Sequence, residues 1–165
     1  CKSVIHNQLI YKRMEGMYKV CDVKLTYNTK VKSSERAVIK DSNSAYSLLM
    51  NHIYDSETIQ YREYMKLILL NNAKRVLGIV HISEGGLDST SADIRIIMQA
   101  AILGNASAMI LSHNHPSGNK QPSNQDDLLT DRVKKAAKLF DIQLLDHIIV
   151  TDSGYYSYLD EGRIL

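Results

Sequence analysis

The chain has 165 residues, a net charge of +2, and a composition 44% hydrophobic and 23% charged, with two prolines and two cysteines. That length suits one continuous core. The cysteines are too few for a disulfide framework, and no apolar run approaches the ~20 residues of a membrane span. The expectation is a cytoplasmic globular protein with no membrane association, no leader-type apolar stretch at its start, and free thiols at Cys1 and Cys21. Nothing in the composition sets an oligomeric state.

The charge is unevenly placed. Residues 1–40 hold nine Lys or Arg against three Asp or Glu, so the remainder is net acidic. Such a segment either attracts nucleic acid or an acidic partner, or is a solvated surface. The basic residues are scattered, and charge alone carries no sequence specificity.

Residues 1–15 show no clean period. Val20 to Tyr27 alternates apolar and polar and reads as a half-buried strand. Residues 28–40 are polar and read as a loop, with a short strand possible at Ala37-Val38-Ile39. Asp41 to Ser44 offers helix N-caps, and Ala45, Leu48, Leu49 and Ile53 then share a helical face, which predicts an amphipathic helix over 44–54. Tyr64 to Leu70 and Val76 to Ser83 are strand-like runs around the turn 71–75, an antiparallel hairpin, ended by Gly85-Gly86. Ser89-Thr90-Ser91 are candidate caps for a helix over 92–103 with Ile94, Ile97, Met98, Ala101 and Ile102 inward and Gly104-Asn105 as its stop.

Ala108-Met109-Ile110-Leu111 then runs into Ser112-His113-Asn114-His115-Pro116-Ser117-Gly118. On a strand, His113 and His115 point to one side. Pro116 to Gly118 turns the chain. Asp126 follows at the start of a helical pattern opened by Ser123. Two His and one carboxylate leave one tetrahedral position for water, the arrangement of a hydrolytic zinc site. The competing reading needs no metal: Ser123 and Asp126 also fit a capping box, and both readings hold together if Ser123 caps while Asp126 faces the ion. In the helix from Ser123, Leu128, Leu129, Val133, Ala136, Ala137 and Phe140 form the apolar face. Asp127 points about a quarter turn from Asp126 and suits the helix dipole better than a metal. Residues 142–150 read as a buried strand whose polar pair Asp146-His147 needs partners; His147 either orients a metal ligand or is a core histidine bonded to backbone. Gly154 to Tyr158 reads as a last strand.

The string His-x-His, seven residues, Ser, two residues, Asp resembles the JAMM motif of the JAB/MPN metalloproteases. With His113-Asn114-His115-Pro116-Ser117-Gly118 and Leu145-Asp146-His147-Ile148-Ile149, it looks like the RadC-like branch, carrying the label "DNA repair protein RadC", over about residue 61 to the C-terminus. The resemblance implies an α+β, mixed α/β fold of the JAB/MPN, cytidine-deaminase-like kind: three layers, with a curved central sheet flanked by helices. It implies a RadC-like metal-binding domain over 61–165, with 1–60 as a basic extension of strand and helix packed on it. It further implies Zn²⁺ on His113, His115 and Asp126, Glu63 as general base then acid, and Ser123 as the donor to the oxyanion. Glu84, at the far end of the hairpin, competes with Glu63. Arg95 is placed where RadC-like proteins often carry an Arg, to hold a carbonyl or a substrate carboxylate, or as a surface residue. Ser117 shapes the loop or meets substrate.

The implied activity is hydrolysis of a peptide or isopeptide bond in a peptide or protein substrate. The alternatives are a DNA-associated repair or mobile-element accessory protein using the basic first third, and a metal-bearing interaction module without turnover. His113-Asn114-His115 is not an HNH nuclease signature, which needs other spacing and a ββα unit.

Overall fold

Apolar alternation builds the centre of the molecule, and two helical layers cover it. The computed structural model describes residues 30–85 and 92–164. The expected strand at 20–27 and the expected caps Ser89 to Ser91 lie outside the described residues. In chain order a short 3-10 turn (Ser33–Glu35) leads to α1 (Ser42–His52), β1 (Tyr64–Leu70), β2 (Val76–Glu84), α2 (Ile94–Leu103), β3 (Ala108–Asn114), α3 (Asn124–Lys138), β4 (Gln143–Thr151) and β5 (Gly154–Ser157).

The five strands form one sheet in the order β2-β1-β3-β4-β5. All neighbours are antiparallel except β3 and β4, which are parallel. A parallel pair needs a crossover, and α3 supplies it. Side chains alternate across the sheet. Met65, Leu67 and Leu69 of β1, with Met109 and Leu111 of β3, pack with Ile97, Met98 and Ala101 of α2 and Val133 and Ala137 of α3. Ile68, Leu70, Ile110, Ile148 and Val150 face the other way, onto Ala45 and Leu49 of α1 with Tyr54 and Ile59 after it. Each Leu or Ile so buried contributes roughly 1.5–3 kcal/mol. The architecture is mixed α/β in three layers, as the JAB/MPN resemblance implied.

The helix ends follow from polar caps. Asp41 accepts from the Ser44 amide, and Ser44 returns the bond to the Asp41 amide, so α1 starts two residues earlier than its apolar stripe predicts. Asp93, not the Ser89 to Ser91 run, caps α2 by accepting from the Arg95 amide. The expected stripe of α2 is narrower than the sequence suggests: Ile97, Met98 and Ala101 are buried, whereas Ile102 is exposed. Leu128 on α3 and Phe140, just past its end, are likewise exposed, and the inward row of α3 is Asp126, Thr130, Val133 and Ala137. A row spaced four, three and four is one helical face, and half of it is polar because it looks onto the site described next. Ala37 to Ile39 makes only a single bridge, Val38 to Arg75, rather than a strand. Among the described residues, no helix is long and apolar enough to cross a membrane.

Candidate metal centre

The site lies where β3 ends, on the face covered by α2 and α3. His113 is in β3, opposite Met65 of β1, and is fully buried. His115 is just past the strand, where its amide still bonds to the Val150 carbonyl. The turn beyond it closes through the Gly118 amide and the His115 carbonyl at 3.1 Å. Gly118 has φ +77°, a left-handed conformation that glycine adopts without a Cβ penalty. Ser117 Oγ accepts from the Asn119 amide at 3.4 Å, so it shapes this loop. The loop places the Asn119 carbonyl 2.7 Å from His115 Nδ1. A carbonyl only accepts, so this ring nitrogen carries the proton and Nε2 of the neutral ring is bare.

Asp126 arrives from the first turn of α3. Ser123 Oγ accepts the Asp126 amide at 3.2 Å, while the Ser123 amide and hydroxyl both donate to Asp126 Oδ2 at 2.7 Å. The capping box therefore both starts the helix and aims the carboxylate, so the cap is compatible with an Asp126 turned to the two histidines. His113 Nε2 lies 2.9 Å from His115 Nε2 and 3.2 Å from Asp126 Oδ1, and His115 Nε2 lies 3.7 Å from Asp126 Oδ2. The ligand-type atoms of the three residues all fall within 4.8 Å of one another. An ion held tetrahedrally with bonds of about 2.0–2.1 Å needs its donors roughly 3.3 Å apart, and the observed separations bracket that value. The donor set fits a metal ion.

The electrostatics agree with this grouping. Burial resists a charge on Asp126, but a second proton on His113 or His115 is shared with the carboxylate, outweighs burial and holds the carboxyl well below the usual carboxylate range. Burial also opposes a charge on His115, yet Asp126 beside it raises its pKa above the ordinary value. Glu63 sits one residue before β1, and alternation from Met65 and Leu67 turns its side chain to the site face. Burial raises its pKa, partly offset by the positive fields of His113 and His115, with Asp126 raising it further. Glu84, the other candidate, is not at the far end of the hairpin as expected: antiparallel pairing sets it opposite Tyr64, at the same end as Glu63 but ion-paired with Arg62 on the other face.

The remaining predicted residues separate. His147 is fully buried with its Nε2 2.8 Å from His113 Nδ1. It reaches that face through a bulge: Met109 pairs with Leu144, but Ile110 pairs with Asp146. Without the extra residue, period-two alternation would turn His147 to the α1 face. Asp146 does not touch the centre; its carboxylate accepts from the His147 and Leu159 amides and from Ser157 Oγ. Arg95 is ion-paired with Asp93 at 2.6 Å, with a largely exposed side chain. Asp127 accepts from Tyr158 and Arg163 rather than facing the centre.

Two further buried residues carry no distinguishing motif in the sequence. Thr130 Oγ1 donates to the Asp126 carbonyl at 2.6 Å and lies 2.6 Å from His147 Nδ1. Its spacing of four from Asp126 was the available signal. Asn114, between the two histidines, turns to the other face. Its Nδ2 donates to the carbonyls of Ile59 and Arg62, and its Oδ1 accepts from the Tyr64 amide. That clamp sets the path of the chain through Glu63.

Comparison with known proteins agrees with the fold. A family model described as RadC-like JAB domain matches residues 39–163. A UPF0758 protein of Porphyromonas gingivalis is 44% identical over 130 residues, covering 78% of this chain and 56% of that protein. UPF0758 proteins of Flavobacterium johnsoniae and Aeromonas salmonicida are 34% identical over 124 residues and 45% over 103, covering 75% and 62% of this chain and 52% and 47% of theirs. The chain thus spans about half the length of the curated relatives it matches. On the extent of the family match, the chain belongs to the RadC-like JAB domain family.

Proposed function

We propose that the protein is a zinc-dependent peptidase or amide hydrolase with His113, His115 and Asp126 as the metal ligands and Glu63 as the proton carrier. The observation that carries this reading is the convergence of two imidazole nitrogens and one carboxylate within 4.8 Å, with the carboxylate of Glu63 in their field. Zinc is favoured because two nitrogens and one oxygen suit a borderline ion with one position left open. When bound there, zinc supplies a Lewis acid and a water acidic enough to attack near neutral pH.

The chain's own residues do the rest. Glu63, its pKa raised by burial, takes the proton from the attacking water on its carboxylate and delivers it to the leaving nitrogen, because an amide leaves only as the amine. Ser123 holds Asp126 in the resting site; on substrate binding its hydroxyl turns to the oxygen that becomes negative.

The test is metal content by mass spectrometry, followed by hydrolysis of peptide and isopeptide substrates. About one zinc per chain, lost in His113→Ala and in Asp126→Ala, is the expected result. Glu63→Gln keeps the zinc and loses about 10²–10⁴-fold in turnover. A wild-type chain that takes up no zinc after reconstitution sinks the metal reading. Undiminished turnover in Glu63→Gln sinks the assignment of the base.

A further inference from the structure

We infer that Thr130 and His147 are positioning residues that lock His113 in the one tautomer able to ligate through Nε2. This rests on the metal reading above and assigns work to two side chains outside the ligand set.

The wire starts at a group that cannot donate. The Asp126 carbonyl receives the Thr130 hydroxyl proton at 2.6 Å. A hydroxyl has one proton, so towards His147 Nδ1, 2.6 Å away, Thr130 Oγ1 can only accept. His147 therefore carries its proton on Nδ1, and in the neutral ring Nε2 is bare. That Nε2 lies 2.8 Å from His113 Nδ1, so His113 must donate there. The neutral His113 ring then has no proton left for Nε2, the atom that faces His115 and Asp126. On the other side, the Asn119 carbonyl locks His115 in the same way. Two bare nitrogens face each other at 2.9 Å beside a carboxylate. Lone pairs so placed repel unless an extra proton or a cation sits among them. The fold has fixed the polarity of the site before any ion enters.

The geometry of His147 is itself held. The ring of Tyr158 stacks on it at 5.0 Å and 15°, and the Tyr158 hydroxyl is tied to Asp127, the neighbour of Asp126. Thr130 is thus bonded both to the helix that carries Asp126 and to the relay that ends on His113. Removing only its hydroxyl leaves His147 Nδ1–H without an acceptor. The ring then moves its proton to Nε2, donates to His113 Nδ1, and drives the His113 proton onto Nε2, where it blocks the metal. All three ligands remain in place in such a variant.

The experiment uses the whole chain, with nitrogen-15 labelled histidine. Side-chain NMR of the metal-free wild type is expected to show His147 as the Nδ1–H tautomer, and Thr130→Val to shift it to Nε2–H. Zinc affinity, read by competition with a chromophoric chelator, is expected to fall about 10–100-fold in Thr130→Val, the usual effect of losing an outer partner of a metal ligand. Thr130→Ser restores it. A wild-type His147 with its proton on Nε2 overturns the inference, whatever zinc does. So does a folded Thr130→Val chain that binds zinc as tightly as wild type. A wild type that binds no zinc removes the metal reading beneath it, and the NMR result on His147 separates that failure from an error in the wire.

Discussion

His113 and Asn114 are adjacent, both fully buried, and on opposite faces of the sheet. The bonds of Asn114 all end on backbone, at the carbonyls of Ile59 and Arg62 and the amide of Tyr64. The bonds of His113 all go to other titratable side chains, and one of its nitrogens points at a place shared with His115 and Asp126. The first pattern fixes a chain path; the second prepares a place for something else. The two faces are nonetheless coupled, because the path that Asn114 fixes on one face delivers Glu63 to the other.

The comparison breaks most readily on metal removal. With zinc at a thousand times its dissociation constant, a chelator is expected to lower the unfolding free energy of the wild type by about 4 kcal/mol. It should leave His113→Ala unchanged, as read by denaturant melts with and without chelator. An equal drop in the variant would place the stabilising ion elsewhere. Asn114→Ala comes next, at about 3 kcal/mol, because it strands buried backbone groups rather than merely deleting contacts. Its zinc affinity should stay near wild type while turnover falls, since the loss reaches Glu63 and not the ligands. Loss of zinc with stability intact would reverse the roles given to the two faces.

Asp146 gives a pH test of the same distinction. Burial, against the bonds from Ser157, Leu159 and His147, pushes its carboxyl up to about 6. In the unfolded chain a carboxyl of this kind titrates near ~3.9. Between those values the folded state holds a proton that the unfolded state has released, so stability falls as pH rises through the window. The total is no more than about 3 kcal/mol. Melts from pH 4 to 7 should show the slope in wild type and lose it in Asp146→Asn. A slope of the opposite sign would mean that the three donors outweigh burial.

How far the sequence reached follows from the same contrast. Strands over 64–70 and 76–83, the buried Ile97, Met98 and Ala101 of α2 and the His-x-His to Asp spacing are periodic or local, and the order of residues shows them directly. The partners of His113 are not local. The link to His147 spans 34 residues and depends on one bulged residue that reverses the phase of β4. Nothing in the apolar run Ile142 to Val150 marks where the phase changes. Thr130 was hidden for a different reason: a threonine on an apolar helical face reads as a tolerated substitution, and only the histidine opposite it gives its hydroxyl a task. Asn114 was overshadowed by its neighbours. Leu128, Phe140 and Ile102 are apolar and in phase with the core, yet exposed apolar side chains are common on any folded surface.

The smallest expected effect is also the sharpest control. Glu63 and Glu84 flank the same hairpin end, and the Gly85 amide bonds to the Glu63 carbonyl at 2.9 Å, so the two carboxylates are close along the backbone. They differ in the face they serve. Glu84 is exposed, ion-paired with Arg62 and 4.0 Å from His81 Nε2, whereas His113, His115 and Asp126 all act on Glu63. An exposed ion pair is screened and contributes little. Glu84→Gln should therefore change neither zinc content, stability nor turnover measurably, beside the large turnover loss in Glu63→Gln. If Glu84→Gln instead abolished turnover with zinc retained, the proton carrier would sit on the other side of the hairpin, and the division of the sheet into a scaffolding face and a reactive face would fail at the hairpin end.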